Sequence, residues 1–252
     1  MAGISFFLLK FSAMHRFFID PADITNNQAI LRDEEAHHLR KVLRLQAGAV
    51  VELLDGCGSV YQAEVGHAGH EVCLNILSLE THQPNSSRLV IGQGLLKGQK
   101  MDFLVQKANE LGVAAFFPFS SDHCAVRPPK EMKRARWEKI VLESCKQCGR
   151  PLPLHLEEIR NFAALLADST EYDKKVILWE KETALHLNDI GQLSSTPSII
   201  ALIGPEGGFS QEEVGRATAA GFIPVSLGKR TLRAETAALT AMAVLQFLGG
   251  NL

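Results

Sequence analysis

The sequence predicts two domains: a small β-barrel interrupted by one helix, then an α/β layer built on a mainly parallel sheet. Three observations carry that prediction. Four short β-like runs, separated by glycine turns, occupy the first 80 residues or so. From Arg88 the rhythm changes to strands alternating with longer helical segments. Between the two regimes lies a polar run, Thr81–Ser87, whose Pro84 suits a linker. The expected boundaries are therefore 14–84 for the barrel and 85–252 for the α/β domain. With 46% hydrophobic and 21% charged residues the chain is globular, which excludes disordered, collagen-like and mucin-like classes.

Residues 1–13 (MAGISFFLLKFSA) contain an apolar run, Ile4–Phe11, that no basic residue precedes and that Lys10 interrupts. The run falls far short of the roughly 20 apolar residues that span a bilayer. We read 1–13 as a disordered extension, with the working protein starting at Met14. No other segment approaches a membrane span. Five scattered cysteines (Cys57, Cys73, Cys124, Cys145, Cys148) suit a reducing compartment, so a cytoplasmic protein without membrane contact is expected.

The first-domain strands are expected at Arg16–Ile19, Ala49–Leu54, Val60–Val65 and Val72–Leu79, all rich in β-branched or large apolar residues. The helix is expected at Glu34–Leu45, where Ala36, Leu39, Val42 and Leu43 recur at helical spacing. In the second domain, strands are predicted at Leu89–Gln93, Ala114–Phe119, Lys175–Trp179, Ser198–Ile203 and Ile223–Leu227. Helices are predicted at Gln99–Leu111, Lys130–Gln147, Gln211–Ala220 and Thr236–Leu248. The helix after Phe209 is the best marked, with Ser210 as N-cap, Glu213 completing a capping box and Gly221 past its last turn.

The net charge of −2 conceals an uneven distribution. Residues 14–85 carry 5 basic and 10 acidic side chains, whereas residues 86–150 carry 12 basic and 6 acidic ones. Within 127–150 there are 8 Lys or Arg against 3 Glu, so Arg127, Lys130, Arg134 and Arg150 are candidates for phosphate contact. Pairs such as Arg134–Glu138 at i, i+4 account for only part of this segment.

Several motifs read as decoys for a ligand site. Gly92-Gln-Gly94 begins like a dinucleotide fingerprint, but Lys97 replaces its third glycine. Cys145 and Cys148 have no second close pair to complete a zinc site and read as core or surface cysteines, while adjacent His37 and His38 point about 100° apart on a helix and read as RNA contact or plain solvation. No metal is expected. Phe116-Phe117-Pro118-Phe119 reads as a buried parallel strand.

Two C-terminal segments carry the chemistry. Leu202-Ile-Gly204-Pro-Glu206-Gly207-Gly208-Phe-Ser210 runs from a buried strand through a glycine loop into a capped helix. Leu227-Gly228-Lys-Arg230-Thr-Leu232-Arg233-Ala-Glu235-Thr236-Ala237-Ala238 repeats the strand–loop–helix pattern. Glycines let backbone approach a ligand, and helix N-termini add a partly positive field. Two such loops at one sheet edge would build a crevice at the carboxyl ends of the strands.

These two segments closely resemble the knot-forming loops of the RsmE family of SPOUT methyltransferases. The likeness extends to Met14-His-Arg16-Phe-Phe, His38–Arg44 (HLRKVLR), Asp55-Gly56, Lys97-Gly-Gln-Lys100, Gln106-Lys107-Ala-Asn-Glu110-Leu-Gly-Val and Gln147-Cys-Gly-Arg150. It covers the chain from Met14 to Leu248. The resemblance implies a PUA-like barrel, a C-terminal trefoil knot, a homodimer, and methylation of N3 of a uridine in small-subunit (16S) ribosomal RNA with S-adenosylmethionine. It assigns Ile203, Gly204, Glu206 and Gly207 to one cofactor loop, and Leu227, Gly228, Leu232 and Thr236 to the other. Leu178 is placed beside the adenosine, and Arg16, Arg40, Arg44 and Lys107 toward RNA.

Uridine N3–H is a weak acid, so methylation needs a base or a cation that stabilises the uridinate. Arg233 is ranked first for that work because a guanidinium presents paired donors. Glu235 and Glu206 follow as carboxylates that could take the proton or orient Arg233. Two alternatives remain: a SPOUT ribose 2′-O-methyltransferase, separable by the modified nucleoside, and a non-catalytic RNA-binding module, separable by cofactor binding.

Overall fold

The computed structural model describes residues 14–126 and 132–252. The chain divides into two units between His82 and Gln83.

In the first unit β1 (Arg16–Phe18) is followed by β2 (Ile24–Thr25) and β3 (Gln28–Leu31). Helix α1 (Asp33–His37) continues as a π turn, His38–Val42, before β4 (Val50–Leu54), β5 (Ser59–Ala68) and β6 (Val72–Thr81). These strands form one mixed sheet in the order β1-β4-β5-β6-β3-β2, in which only the β1–β4 pairing is parallel. Alternate residues of each strand, among them Phe17, Leu31, Leu53 and Leu74, meet Ala36 and Leu39 of the helical segment in the core.

Two details differ from expectation. The helix stops at Val42, not Leu45, because the wider π turn shifts the helical phase and Arg44, at φ +54°, reverses the chain. Val42, expected on the core face, is therefore 61% exposed, while Leu43 and Leu45 pack against the core from the loop. The hairpin β2–β3 is absent from the expected elements. Its turn residues Asn26 and Asn27 both have positive φ, which a two-residue hairpin turn demands and asparagine tolerates.

The second unit contains β7 (Arg88–Gly94), α2 (Lys100–Glu110), β8 (Ala115–Ser120) and α3 (Met132–Cys148). Then come β9 (His155–Leu156), β10 (Arg160–Asn161), α4 (Phe162–Asp168), β11 (Lys174–Leu178), β12 (Ser198–Ile203), α5 (Gln211–Ala219), β13 (Ile223–Val225) and α6 (Ala234–Leu248). Every pairing in the sheet is parallel, in the order β10-β8-β7-β12-β11-β13, with β9 also beside β8. All its strand ends therefore point the same way, and the loops after β7, β8, β11, β12 and β13 share one edge.

On one face of the sheet, Phe119, Phe162 and Phe209 stack or tilt at 5.5–6.1 Å, and Val214 and Ala217 of α5 complete the cluster. Alternation turns Leu89, Ile91, Ile199 and Ala201 to the other face. There α6 lies against β7 and β12, its buried side being Ala238, Ala241, Met242 and Leu245. The start of α5 follows the expected chemistry: Ser210 Oγ accepts from Glu213 N at 3.1 Å, and the fully buried Glu213 carboxylate accepts from Ser210 N and Asp122 N. That last bond ties the loop after β8 to the loop after β12.

The glycine, cysteine and phenylalanine motifs take different places in the fold, and Cys148 is exposed. A Cβ on Gly94 would lie 2.7 Å from the Pro205 backbone, so β7 needs a glycine to pass beneath the loop after β12. Cys145 is buried against Asn109, and burial pushes its thiol up to about 11. Phe116 and Phe119 are fully buried. Among the described residues no cluster of three His, Cys, Asp or Glu could hold a metal, and no helix is long and apolar enough to cross a membrane.

Candidate active site

Where the loops after β11, β12 and β13 face one another, they enclose a cavity of about 510 Å³. That lies within the ordinary range for a small-molecule or cofactor site. Its walls are the segments 203–209 and 226–235, which mix glycines with apolar and charged residues, closed by Leu178, Trp179, Glu180 and Lys100. Buried Gln93 fixes one wall from beneath: its side-chain amide donates to the carbonyls of Gly94 and Gly204, at 2.9 and 3.2 Å.

Gly207 is placed by a protein neighbour. A Cβ there would sit 2.7 Å from His123 Cβ and 3.1 Å from its carbonyl oxygen, and the His123 ring already meets the Gly207 carbonyl at 3.0 Å. The glycine requirement thus comes from the loop after β8, not only from a ligand.

Charge at the rim comes from several elements. Lys100 Nζ hydrogen-bonds Glu206 Oε1 at 3.1 Å and lies 3.2 Å from Glu235 Oε2, an ion pair without hydrogen-bond alignment. The Lys97 backbone N–H also donates to Glu206 Oε1, at 3.1 Å. Contact with Glu206, then with Glu235, raises the Lys100 ammonium above its ordinary range. For Glu206 burial is the largest influence and pushes upward. The N–H groups of Lys97 and Glu206 itself, with Lys100, outweigh it and hold the carboxyl below its usual range. Glu235 is lowered chiefly by its own backbone N–H, with help from Lys100 and Arg233. Both acids are carboxylates at neutral pH. The exposed side chains of Lys229, Arg230 and Arg233 form no hydrogen bond or ion pair among the described residues.

A family model for the RNA methyltransferase domain matches residues 83–246, and one for the RNA methyltransferase PUA domain matches residues 31–76. The chain is 32% identical over 236 residues to the ribosomal RNA small subunit methyltransferase E of Buchnera aphidicola subsp. Schizaphis graminum, covering 90% of this chain and 93% of that one. It belongs to the ribosomal RNA small subunit methyltransferase E family. The Bacillus subtilis member is 29% identical over 247 residues, covering 93% of this chain and 96% of that one. A solved structure of the Neisseria gonorrhoeae member, bound to S-adenosyl methionine, superposes with a TM-score of 0.83 at 34% identity, covering 93% of this chain and 98% of that chain. The fold class is the one the resemblance implied, a mixed-sheet half-barrel followed by a parallel-sheet α/β domain of the SPOUT type.

Against this family background, the structure gathers most of the predicted site residues. Leu178, Ile203, Gly204, Glu206, Gly207, Leu227, Gly228, Leu232, Arg233 and Glu235 all line the cavity. Thr236, exposed on the first turn of α6, does not.

The RNA candidates fare differently. Arg150, expected to be free for phosphate, instead donates to the carbonyls of Asn109 and Val113, at 2.7 and 2.8 Å. It closes the end of α2 and the turn into β8 from inside the fold, which corrects that expectation. Arg134 bonds Glu138 at 2.9 Å and pairs with Glu158, Lys107 is held by Glu110 at 2.7 Å, and Arg16 by Glu52 at 2.6 Å. Arg40 reaches the Ala36 carbonyl at 3.4 Å, and Arg44 is exposed. Arg127 and Lys130 lie outside the described residues.

Lys100, like Trp179 and Glu180, is a cavity residue that sequence reasoning did not single out. Its motif, Lys97-Gly-Gln-Lys100, shows no local acid, and its partners arrive from two distant loops.

Proposed function

We propose that this chain transfers a methyl group from S-adenosylmethionine to N3 of a uridine in small-subunit (16S) ribosomal RNA. The observation that carries the reading is the cavity at the carboxyl edge of β11, β12 and β13. Both glycine loops bound it, as do Arg230 and Arg233, which are unpaired among the described residues. The residues present suit the cofactor. The backbone of 203–208 and 226–228 offers close approach, Leu178 and Leu232 offer apolar contact, and the buried Trp179 indole N–H has no partner among the described residues. When bound there, the cofactor supplies an electrophilic methyl group on a sulfonium.

The chain's own residues do the rest. Transfer is an in-line displacement, so rigid loops positioning donor and acceptor supply much of the rate. Loss of the N3 proton leaves negative charge over the uracil oxygens, and Arg233 can place two N–H donors on it. Glu206 and Glu235, both held ionised, are weak bases; they suit proton acceptance only when a cation stabilises the uridinate. Arg233 therefore stays first, and the carboxylates orient or assist. The chain between β12 and α6 is assigned to the trefoil knot that accompanies this fold.

The partner reading rests on α6. Leu239, Ala243 and Phe247 recur at four-residue spacing, and Phe247 is 66% exposed, an apolar stripe that a second copy would cover as a homodimer. Arg44, Arg127 and Lys130 are assigned to phosphate contact, on substrate within the assembled small subunit. We place the protein in the cytoplasm, where its substrate is made.

Mass spectrometry of ribosomal RNA nucleosides from cells lacking the gene tests the reaction. Loss of one N3-methyluridine from the small subunit, restored by wild type, is the expected result. Loss of a 2′-O-methyl nucleoside instead would favour the ribose-modifying alternative.

A further inference from the structure

Glu206 stands in the loop after β12 and Glu235 in the first turn of α6, yet one ammonium from α2 meets both. Two carboxylates facing one rim repel, and each would take up a proton more readily without a cation between them. A lone surface ion pair contributes little. A cation shared by two acids from two loops differs, because it removes a like-charge repulsion and joins three elements at once. The side chains of Lys100, Glu206 and Glu235 are 35%, 29% and 22% exposed, so the contact is partly sheltered.

We propose that Lys100 is a positioning residue for methyl transfer: it holds Glu206 and Glu235 together and so sets the two cofactor loops around one cavity. This deepens the proposed function and rests on it. Arg233 adds to the field that lowers Glu235 but not Glu206, so among the described rim cations Lys100 alone meets both acids. His123 and Glu180 lie against Gly207 and Gly208, and Lys229, Arg230 and Arg233 make no ion pair with either acid among the described residues. The depressed acids and raised ammonium accord with a closed Glu206–Lys100–Glu235 bridge.

The test compares full-length wild type, Lys100→Met, Lys100→Arg and the double variant Lys100→Met/Glu235→Gln. S-adenosylmethionine affinity is measured by calorimetry from pH 5 to 9, alongside single-turnover methylation of small subunits. In wild type both acids stay ionised as pH falls into the mildly acidic range, so affinity should hold there. In Lys100→Met the two carboxylates repel with no ammonium between them, so affinity should be weakened wherever both are ionised, and the loss should shrink as pH falls and one acid takes up a proton. Near pH 8 the variant should bind about tenfold more weakly, a difference of roughly 1.4 kcal/mol. Lys100→Arg should restore the wild-type profile, and Glu235→Gln should recover part of the loss by removing one of the repelling charges. A folded Lys100→Met protein whose affinity and rate follow wild type at every pH would overturn the proposal. If wild type binds the cofactor but methylates no small subunit, the substrate reading fails, while the affinity profiles still decide the role of Lys100.

Discussion

Two sets of cations in the α/β unit make an instructive contrast. Those described in the basic α2–α3 region find acids or carbonyls nearby, among them Lys107 with Glu110, Arg134 with Glu138, Arg136 with Asp102, Lys146 with Glu143, and Arg150 on two backbone oxygens. Those of the loop after β13, Lys229, Arg230 and Arg233, have no such partner among the described residues and stand at the cavity. The first region holds the surplus of charge in the sequence, and the second holds the charge left available. Electrostatic function follows the unmatched cations, not the local count.

The largest effect expected from breaking this contrast is on the cavity wall. Gly207→Val would drive a side chain into His123, so cofactor affinity should fall at least about 100-fold, some 2.7 kcal/mol. Calorimetry on protein shown to be folded by circular dichroism measures it. Unchanged affinity would mean that the loop does not bound the cofactor site.

Next comes Arg233→Lys, which keeps the charge and loses the planar fork. Single-turnover rates should fall on the order of 100- to 1,000-fold with cofactor affinity nearly constant. Raising the pH should recover part of the rate, since more uridine ionises without help. A variant within about threefold of wild type, roughly 0.6 kcal/mol of barrier, would pass the role to Arg230.

A smaller effect, on stability, is expected in the other region. Arg150→Met removes two charge-assisted bonds to carbonyls inside the fold, so denaturant unfolding should show a loss of about 2–3 kcal/mol. RNA affinity per folded molecule should be unchanged. A pure loss of RNA binding, with stability intact, would return Arg150 to the phosphate-contacting set.

The smallest effect sharpens the contrast directly. Replacing Lys229 and Arg230 by Ala should reduce the log–log salt slope of RNA binding by about 1 for each phosphate no longer neutralised. Replacing Lys107 and Arg134 should move it by less, because both already face carboxylates. Equal slopes for the two pairs would erase the distinction.

Legibility in the sequence followed the range of the interactions. Ser198–Ile203 was readable to the residue because a buried central strand is one apolar run, and the α5 capping box because its partners lie three residues apart. Elements β9 and β10 are two residues each and too short to carry a period. The π turn at His38–Val42 was hidden because it conserves apolar spacing while changing phase. At the site, both glycine loops were visible as local patterns. Lys100 was not, since its meaning depends on acids that only the parallel sheet brings to it. Arg150 was misread for the matching reason: a charge count sees a guanidinium but not the carbonyls it will meet.

The central claim, that the cofactor occupies the cavity between the two loops, has a built-in reporter. The chain has two tryptophans. Trp179 lines the cavity, whereas Trp137 is buried in α3 with its indole N–H on Asp102 at 2.9 Å. Titrating S-adenosylmethionine into wild type should give a saturable change in tryptophan fluorescence. The change should vanish in Trp179→Phe and persist in Trp137→Phe, with binding in both variants verified by calorimetry. A change that survives in Trp179→Phe and disappears in Trp137→Phe would place the cofactor elsewhere and contradict the account.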